Sequence, residues 1–157
     1  WHMAIMTILL SEYANEDIDV LKTVTMLLIH DLVEIDAGDT YAYDEEGKKT
    51  QALREAKAAE RIYGLLPKDQ GERLLALWRE FEERKTPEAK FARTMDCVQP
   101  LMLNAATEGR SWLEHDVKVS QVLARNANTA DGSAAIWDYA RSRFIDTSLR
   151  KGLLGDE

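Results

Sequence analysis

The chain of 157 residues has one cysteine, Cys97, three prolines and eight glycines. A lone cysteine cannot close an intramolecular disulfide, so the expected setting is a reducing cytoplasm rather than an oxidising compartment. Long apolar runs are missing too. A bilayer span needs about 20 mostly apolar residues, whereas the apolar stretch 26–29 runs straight into His30 and Asp31. Basic side chains are outnumbered, 20 against 28 acidic, for a formal charge of -8. Such a field repels duplex nucleic acid and anionic membrane surfaces. Neither a nucleic acid polymer nor a membrane is therefore an expected partner, and any phosphate handled should be small and locally attracted.

The hydrophobic content of 45% is enough for one core in a chain this long and too little for two domains. Trp1-His2-Met3-Ala4 has neither an initiator methionine nor a capping residue, so a preceding native segment is expected. The first segment carries Ile5, Ile8, Leu9 and Leu10. Asn15, with Glu16 and Asp17 after it, reads as the N-cap and acidic first turn of a second helix. Ile18, Leu21, Val24, Leu28 and Leu32 form its expected buried stripe, and Ala37-Gly38 ends it. A loop over residues 39–47 precedes a helix rich in Ala, Glu, Lys and Arg that stops at Gly64. Pro67 opens a helix with Leu74, Leu77, Trp78 and Phe81 on one face, and Thr86-Pro87-Glu88 opens another that passes Asp96 with Pro100 inside it. Amphipathic segments follow over residues 111–126 and 133–149. No stretch alternates as a strand would, so the expectation is an all-α, single-domain helical bundle.

The most informative step is His30-Asp31, an imidazole and a carboxylate side by side late on an apolar helix. Burying either costs free energy unless it is paired. A divalent cation satisfies both, since imidazole and carboxylate suit manganese, cobalt, iron, zinc and nickel alike. The plainer reading is a core histidine with one hydrogen bond and a solvated aspartate beside it. Glu34, four residues after His30 and three after Asp31, brings a third polar group to the same helix face. Asp39 follows a glycine turn that can aim it back at the helix end, while Asp36, Asp44, Glu45 and Glu46 read as a solvated acidic loop. Two carboxylates near an activated water can divide the work, one taking its proton and the other protonating a leaving oxygen.

The string HDLVEIDAGDTYAYD, with Ala89-Lys90-Phe91 and Arg93-Thr94-Met95-Asp96 further on, resembles the HD-domain metal-dependent phosphohydrolases, in particular their 5'-deoxynucleotidase branch. The resemblance is strongest over residues 1–106, with 107–157 as added C-terminal helices of a single HD-type domain over 1–157. It implies one divalent transition metal held by His30, Asp31 and Asp96. It implies catalytic roles for Glu34 at the attacking water and Asp39 at the leaving group. Arg93, one turn before Asp96, is open to two readings, an ion-pair partner or a ligand for the substrate phosphate. A fourth metal ligand, a first-helix histidine, would fall three residues before His2, ahead of Trp1. His2 itself and His115 read as surface side chains. Cys97 reads as a small core residue, and Trp78, Phe81, Trp112, Trp137 and Phe144 as packing or a subunit interface.

The activity so implied is hydrolysis of the phosphate monoester of (deoxy)nucleoside 5'-monophosphates by a cytoplasmic homodimer. Two alternatives stay open. One is an HD-fold hydrolase acting on a cyclic dinucleotide or a nucleoside triphosphate, because metal ligands do not name the substrate. The other is an inactive helical module for binding or regulation.

Overall fold

The computed structural model describes residues 1–156. In chain order the helices are α1 (His2–Leu10), α2 (Val20–Ile29), α3 (Glu34–Ala37), α4 (Glu45–Tyr63), α5 (Lys68–Glu83), α6 (Pro87–Ala106), α7 (Arg110–Glu114), α8 (Val119–Arg125), α9 (Ala134–Ala140) and α10 (Thr147–Arg150). A 3-10 turn, His30–Val33, joins α2 to α3, and a π-helical stretch, Arg141–Asp146, joins α9 to α10. Among the described residues the only extended pairing is an isolated bridge between Lys118 and Gly155. The all-α expectation stands.

α6 is the axis of the bundle because its sequence is apolar or small on most sides. Ala89, Phe91, Ala92, Thr94, Met95, Cys97, Val98 and Leu101 are all buried along it, and α1, α2, α5 and α9 pack against it. Thr86 caps it by accepting from the Ala89 amide, and Pro87 occupies the first turn where its missing N–H costs nothing. The helix runs unbroken past Pro100, whose carbonyl accepts from Asn104 Nδ2 at 3.1 Å. Two apolar clusters result. The larger gathers Met26, Leu27, Phe91, Met95, Val98, Trp112, Val122 and Ile145 around α6. The smaller joins Ile29 and Val33 to Ala58, Ala59, Tyr63 and Trp78 between α4 and α5. His30 lies on the turn where the chain passes from one cluster to the other.

Four expectations need correction. α2 begins at Asp19, whose side chain accepts from the Lys22 amide at 3.0 Å. Asn15 does not cap it. Its side chain donates to the Ala130 and Asp131 carbonyls and accepts from the Ala134 amide, a long-range bridge that takes up all its capping capacity. The buried residues of α2 are Thr23, Met26, Leu27 and Ile29, continued on the next turn by His30 and Val33, while Leu21, Leu28 and Leu32 are 76%, 49% and 39% exposed. The segment 111–126 is two helices, broken where Asp116 adopts a left-handed φ of 47°. Lastly, the acids 36 and 44–46 are exposed as expected but do not make one loop, since Asp36 lies in α3 and Glu45 and Glu46 in the first turn of α4. Asp36 pairs with Arg61, Asp44 caps α4, and Glu45 and Glu46 pair with Lys48 and Lys49.

Candidate active site

His30, Asp31, Glu34, Asp39, Arg93 and Asp96 line one cleft of about 400 Å³. Each arrives by a local device. At the end of α2 the last carbonyls lose their helical partners, and side chains take them: Tyr63 Oη donates to Ile29 O at 2.9 Å, and His30 Nδ1 lies 2.9 Å from Leu27 O. A carbonyl only accepts, so Nδ1 carries the ring proton and the neutral ring keeps its lone pair on Nε2. Phe81 packs against the imidazole with ring centroids 4.7 Å apart. Gly38 turns the chain at a φ of +76°, a backbone state that a side-chain-bearing residue rarely takes. Arg54 braces that turn from α4, donating to Ala37 O and to Thr40 Oγ1, and Asp39 is thereby aimed into the cleft.

His30 is 6% exposed, and its Nε2 is buried without a hydrogen-bond partner. Yet Asp31 Oδ1 stands 3.0 Å from it and Asp96 Oδ1 3.6 Å. Arg93 holds the other Asp96 oxygen, Oδ2, which leaves Oδ1 on the histidine side. A lone pair confronting two carboxylates repels them unless something positive lies between. Nitrogen and oxygen ligands bound at about 2.1 Å to a first-row cation sit about 3.0–3.5 Å from each other, close to the separations found here. The Leu27 contact on the far nitrogen is the kind of support that orients metal-binding histidines. Among the described residues no group of three or more His, Cys, Asp or Glu side chains is placed to hold a metal ion as it stands, so the fit to a divalent cation rests on the chemistry of the donors and on the two short separations from Nε2.

The titration of the cleft points the same way. Partial burial raises the Glu34 carboxyl to about 7, and the charges of Asp31, Asp39 and Glu55 push in the same direction. Burial raises Asp31 as well, against the opposing pull of His30. Burial alone would lower His30, but the facing Asp96 and Asp31 carboxylates outweigh it and leave the ring raised. Burial would raise Asp96, but His30, Arg93 and Arg125 outweigh it and hold its carboxyl low. The cleft thus keeps one firm carboxylate and gathers protons on its neighbours, as a site short of positive charge does.

The remaining candidates lie outside the cleft lining. His2 Nδ1 faces Gln99 Nε2 at 3.4 Å, one turn along α6 from Asp96. His115 stacks on Tyr41 with centroids 4.8 Å apart. Cys97 is buried behind Arg93 and Arg84. Seven polar cleft residues escaped the sequence reading: Thr40, Lys48, Gln51, Glu55, Glu82, Arg84 and Arg125. Glu55 left a signal, for it shares the buried stripe of α4 with Ala58, Ala59 and Tyr63, and its carboxylate accepts from Gln51 at 2.7 Å. A charge on an apolar stripe marks it as His30 is marked on α2. Arg84 and Arg125 left none, since each sits at a helix end where cations are ordinary.

Comparison with known proteins adds three observations. Residues 1–137 match the family model of the HD domain. The human and bovine 5'-deoxynucleotidases HDDC2 are each 32% identical, over 73% and 65% of this chain and 53% and 48% of their own length. The chain therefore spans about half the length of the curated relatives it matches. A crystal structure of a "predicted metal-dependent phosphohydrolase" from Magnetospirillum magnetotacticum MS-1 is 44% identical, with a TM-score of 0.92 over 99% of this chain and 77% of that one.

Proposed function

This chain belongs to the HD domain family, and from that premise we propose that it is a divalent-metal-dependent phosphohydrolase acting on nucleoside 5'-monophosphates, deoxy forms foremost. The observation that carries the reading is the buried Nε2 of His30, unpartnered and flanked by Asp31 and Asp96 oxygens at 3.0 and 3.6 Å. Relatives that bear the name 5'-deoxynucleotidase support this choice of substrate class. His30, Asp31 and Asp96 would hold the ion, which when bound polarises a phosphoryl oxygen and lowers the pKa of water.

The chain's own groups divide the rest. Glu34, with its carboxyl at about 7, is poised to accept a proton at neutral pH, where a general base is most effective. Asp39, on the braced turn after Gly38, stands ready to assist the departing 5' oxygen. Arg93 keeps Asp96 ionised and aligned through its contact with Oδ2, and it brings positive charge to a phosphate that an acidic chain otherwise repels. No helix among the described residues is long and apolar enough to cross a membrane, which suits a small diffusing substrate.

Phosphate release from a panel of deoxynucleoside and ribonucleoside 5'-monophosphates, with manganese or cobalt added, tests the reading. Turnover should depend on the metal, disappear with a chelator and fall away in Asp31→Asn. An absence of turnover on every monophosphate would overturn it.

A further inference from the structure

Two guanidinium groups of the cleft have no part in the chemistry so far. Arg84 follows α5 in a left-handed conformation, φ 54° and ψ 33°, which a residue of its size seldom takes. Arg125 ends α8. Among the described residues neither has an ion-pair or hydrogen-bond partner, although Arg54, Arg61, Arg79, Arg93 and Arg110 all have one. Among the described residues Arg73, Arg141 and Arg143 also lack an acidic partner, but they lie outside the cleft lining, so it is placement that sets Arg84 and Arg125 apart. Desolvation lowers the Arg84 pKa and the charge of Arg93 pushes the same way, against Glu82, and the charge of Arg125 is felt at Asp96.

Arg84, Arg93 and Arg125 line the main cleft and also a smaller cavity beside it, of about 130 Å³, completed by Cys97, Asn128 and Thr129. At about 30 Å³ for each water of the liquid, that is room for roughly four waters. One tetrahedral oxyanion fits such a space. The cleft itself mixes charges, since Lys48 joins Asp31, Glu34, Asp39 and Glu55 on one side and Glu82 and Asp96 join the three arginines on the other, but the smaller cavity has no carboxylate in its lining.

We propose that Arg84 and Arg125 form an oxyanion subsite beside the metal-side donors, one that takes a phosphate group without needing the cation. Planar guanidinium forks recognise such oxyanions with two parallel hydrogen bonds. Arg93, already engaged with Asp96, borders the subsite and supplies charge to it. The phosphate has two possible sources, free orthophosphate or a second phosphate carried by the nucleotide. The naming of that substrate rests on the hydrolase reading above, whereas the existence of the subsite does not.

The test is calorimetric titration of orthophosphate into the protein stripped of metal by a chelator, at low ionic strength. Saturable binding is expected, weakened at least about tenfold in Arg84→Ala and in Arg125→Ala. Arg84→Lys and Arg125→Lys keep the charge and lose the fork, so they should fall between, and they serve in place of an alanine variant that fails to fold. Displacement arms separate the sources. A nucleoside 3',5'-bisphosphate that displaces orthophosphate at concentrations about tenfold below the 5'-monophosphate assigns the subsite to a second substrate phosphate. Equal displacement assigns it to the single phosphate or its released product. No saturable binding without metal, or binding unchanged in all four variants, overturns the proposal. Phosphate binding that persists while the metal-loaded protein turns over no monophosphate would sink the hydrolase reading alone.

Discussion

The two sides of α2 carry similar amounts of apolar side chain and have opposite fates. The inner side presents Thr23, Met26, Leu27 and His30 to α6 and α5, with Met26 fully buried and His30 6% exposed. The outer side presents Leu21, Leu28 and Leu32 to solvent. Apolarity alone does not choose between them. The inner side buries polar groups as well, with Thr23 Oγ1 donating to Asp19 O at 2.8 Å and His30 Nδ1 meeting Leu27 O. The lesson is that a stripe with two well-placed polar residues can be more deeply buried than a stripe of leucines, and that its one unsatisfied atom, Nε2, is where function should be sought.

The sharpest way to break this contrast is to remove the charge at the end of the inner side without disturbing the packing. Asp31 is 59% exposed at its side chain and its charge is disfavoured by desolvation and by the neighbouring acids, so Asp31→Asn should hold or raise the thermal midpoint of the metal-free protein. Its metal-dependent phosphate release should fall more than about 100-fold, since even residues that only support ligands typically cost 10–100-fold. Retained activity would mean that the inner side ends in a structural histidine and nothing more. The second largest effect belongs to packing on the same side. Met26→Ala empties a fully buried position in the main cluster and should cost about 2–5 kcal/mol in chemical denaturation.

Much of this was legible in the chain because it depends on short-range chemistry. Thr86-Pro87-Glu88 starts a helix wherever it sits, and the spacing of His30, Asp31 and Glu34 keeps them on one side whether the backbone is α-helical or tightens to a 3-10 turn. Asp39 was found because Gly38 announces a turn. What could not be read was decided by distant partners. Asn15 looks like a cap until Ala130, Asp131 and Ala134 claim its side chain. The choice between the two stripes of α2 is made by α6, and the presence of Arg84 and Arg125 in the cleft by how α5 and α8 end. None of these is a property of a local window.

Acidity gives the third effect, confined to the inner side. Glu34 is raised from its ordinary 4.5 to about 7, so the folded chain holds that proton more tightly than the unfolded one. The stability it contributes is complete below about pH 4.5 and is lost as pH rises through about 7. Asp31 and His30 are raised as well and act in the same direction, while the lowered Asp96 loses its contribution only in stronger acid. The metal-free protein should therefore melt at a lower temperature at pH 8 than at pH 6. Glu34 accounts for on the order of 1 kcal/mol of the difference once solvent screening at a half-open site is allowed for. Manganese should restore the midpoint at pH 8, because a cation supplies the charge that protons otherwise bring and releases them on binding. A midpoint unaffected by either pH or metal would remove the electrostatic half of the comparison.

The smallest effect is expected on the outer side, and its smallness is the point. Leu21 is 76% exposed, so trimming it to alanine removes little buried area and leaves no cavity. Alanine is also the better helix former. Leu21→Ala should change the stability of the isolated chain by no more than about 0.5 kcal/mol in either direction, with metal-dependent turnover unchanged, since Leu21 lies outside the cleft lining. Repeating the measurement over a hundredfold range of protein concentration makes it stricter. If the outer leucines were covered by a second copy of the chain, the denaturation midpoint would rise with concentration in the unaltered protein and lose that dependence in the variant. A midpoint independent of concentration in both would leave α2 with one working side, the one that ends at His30.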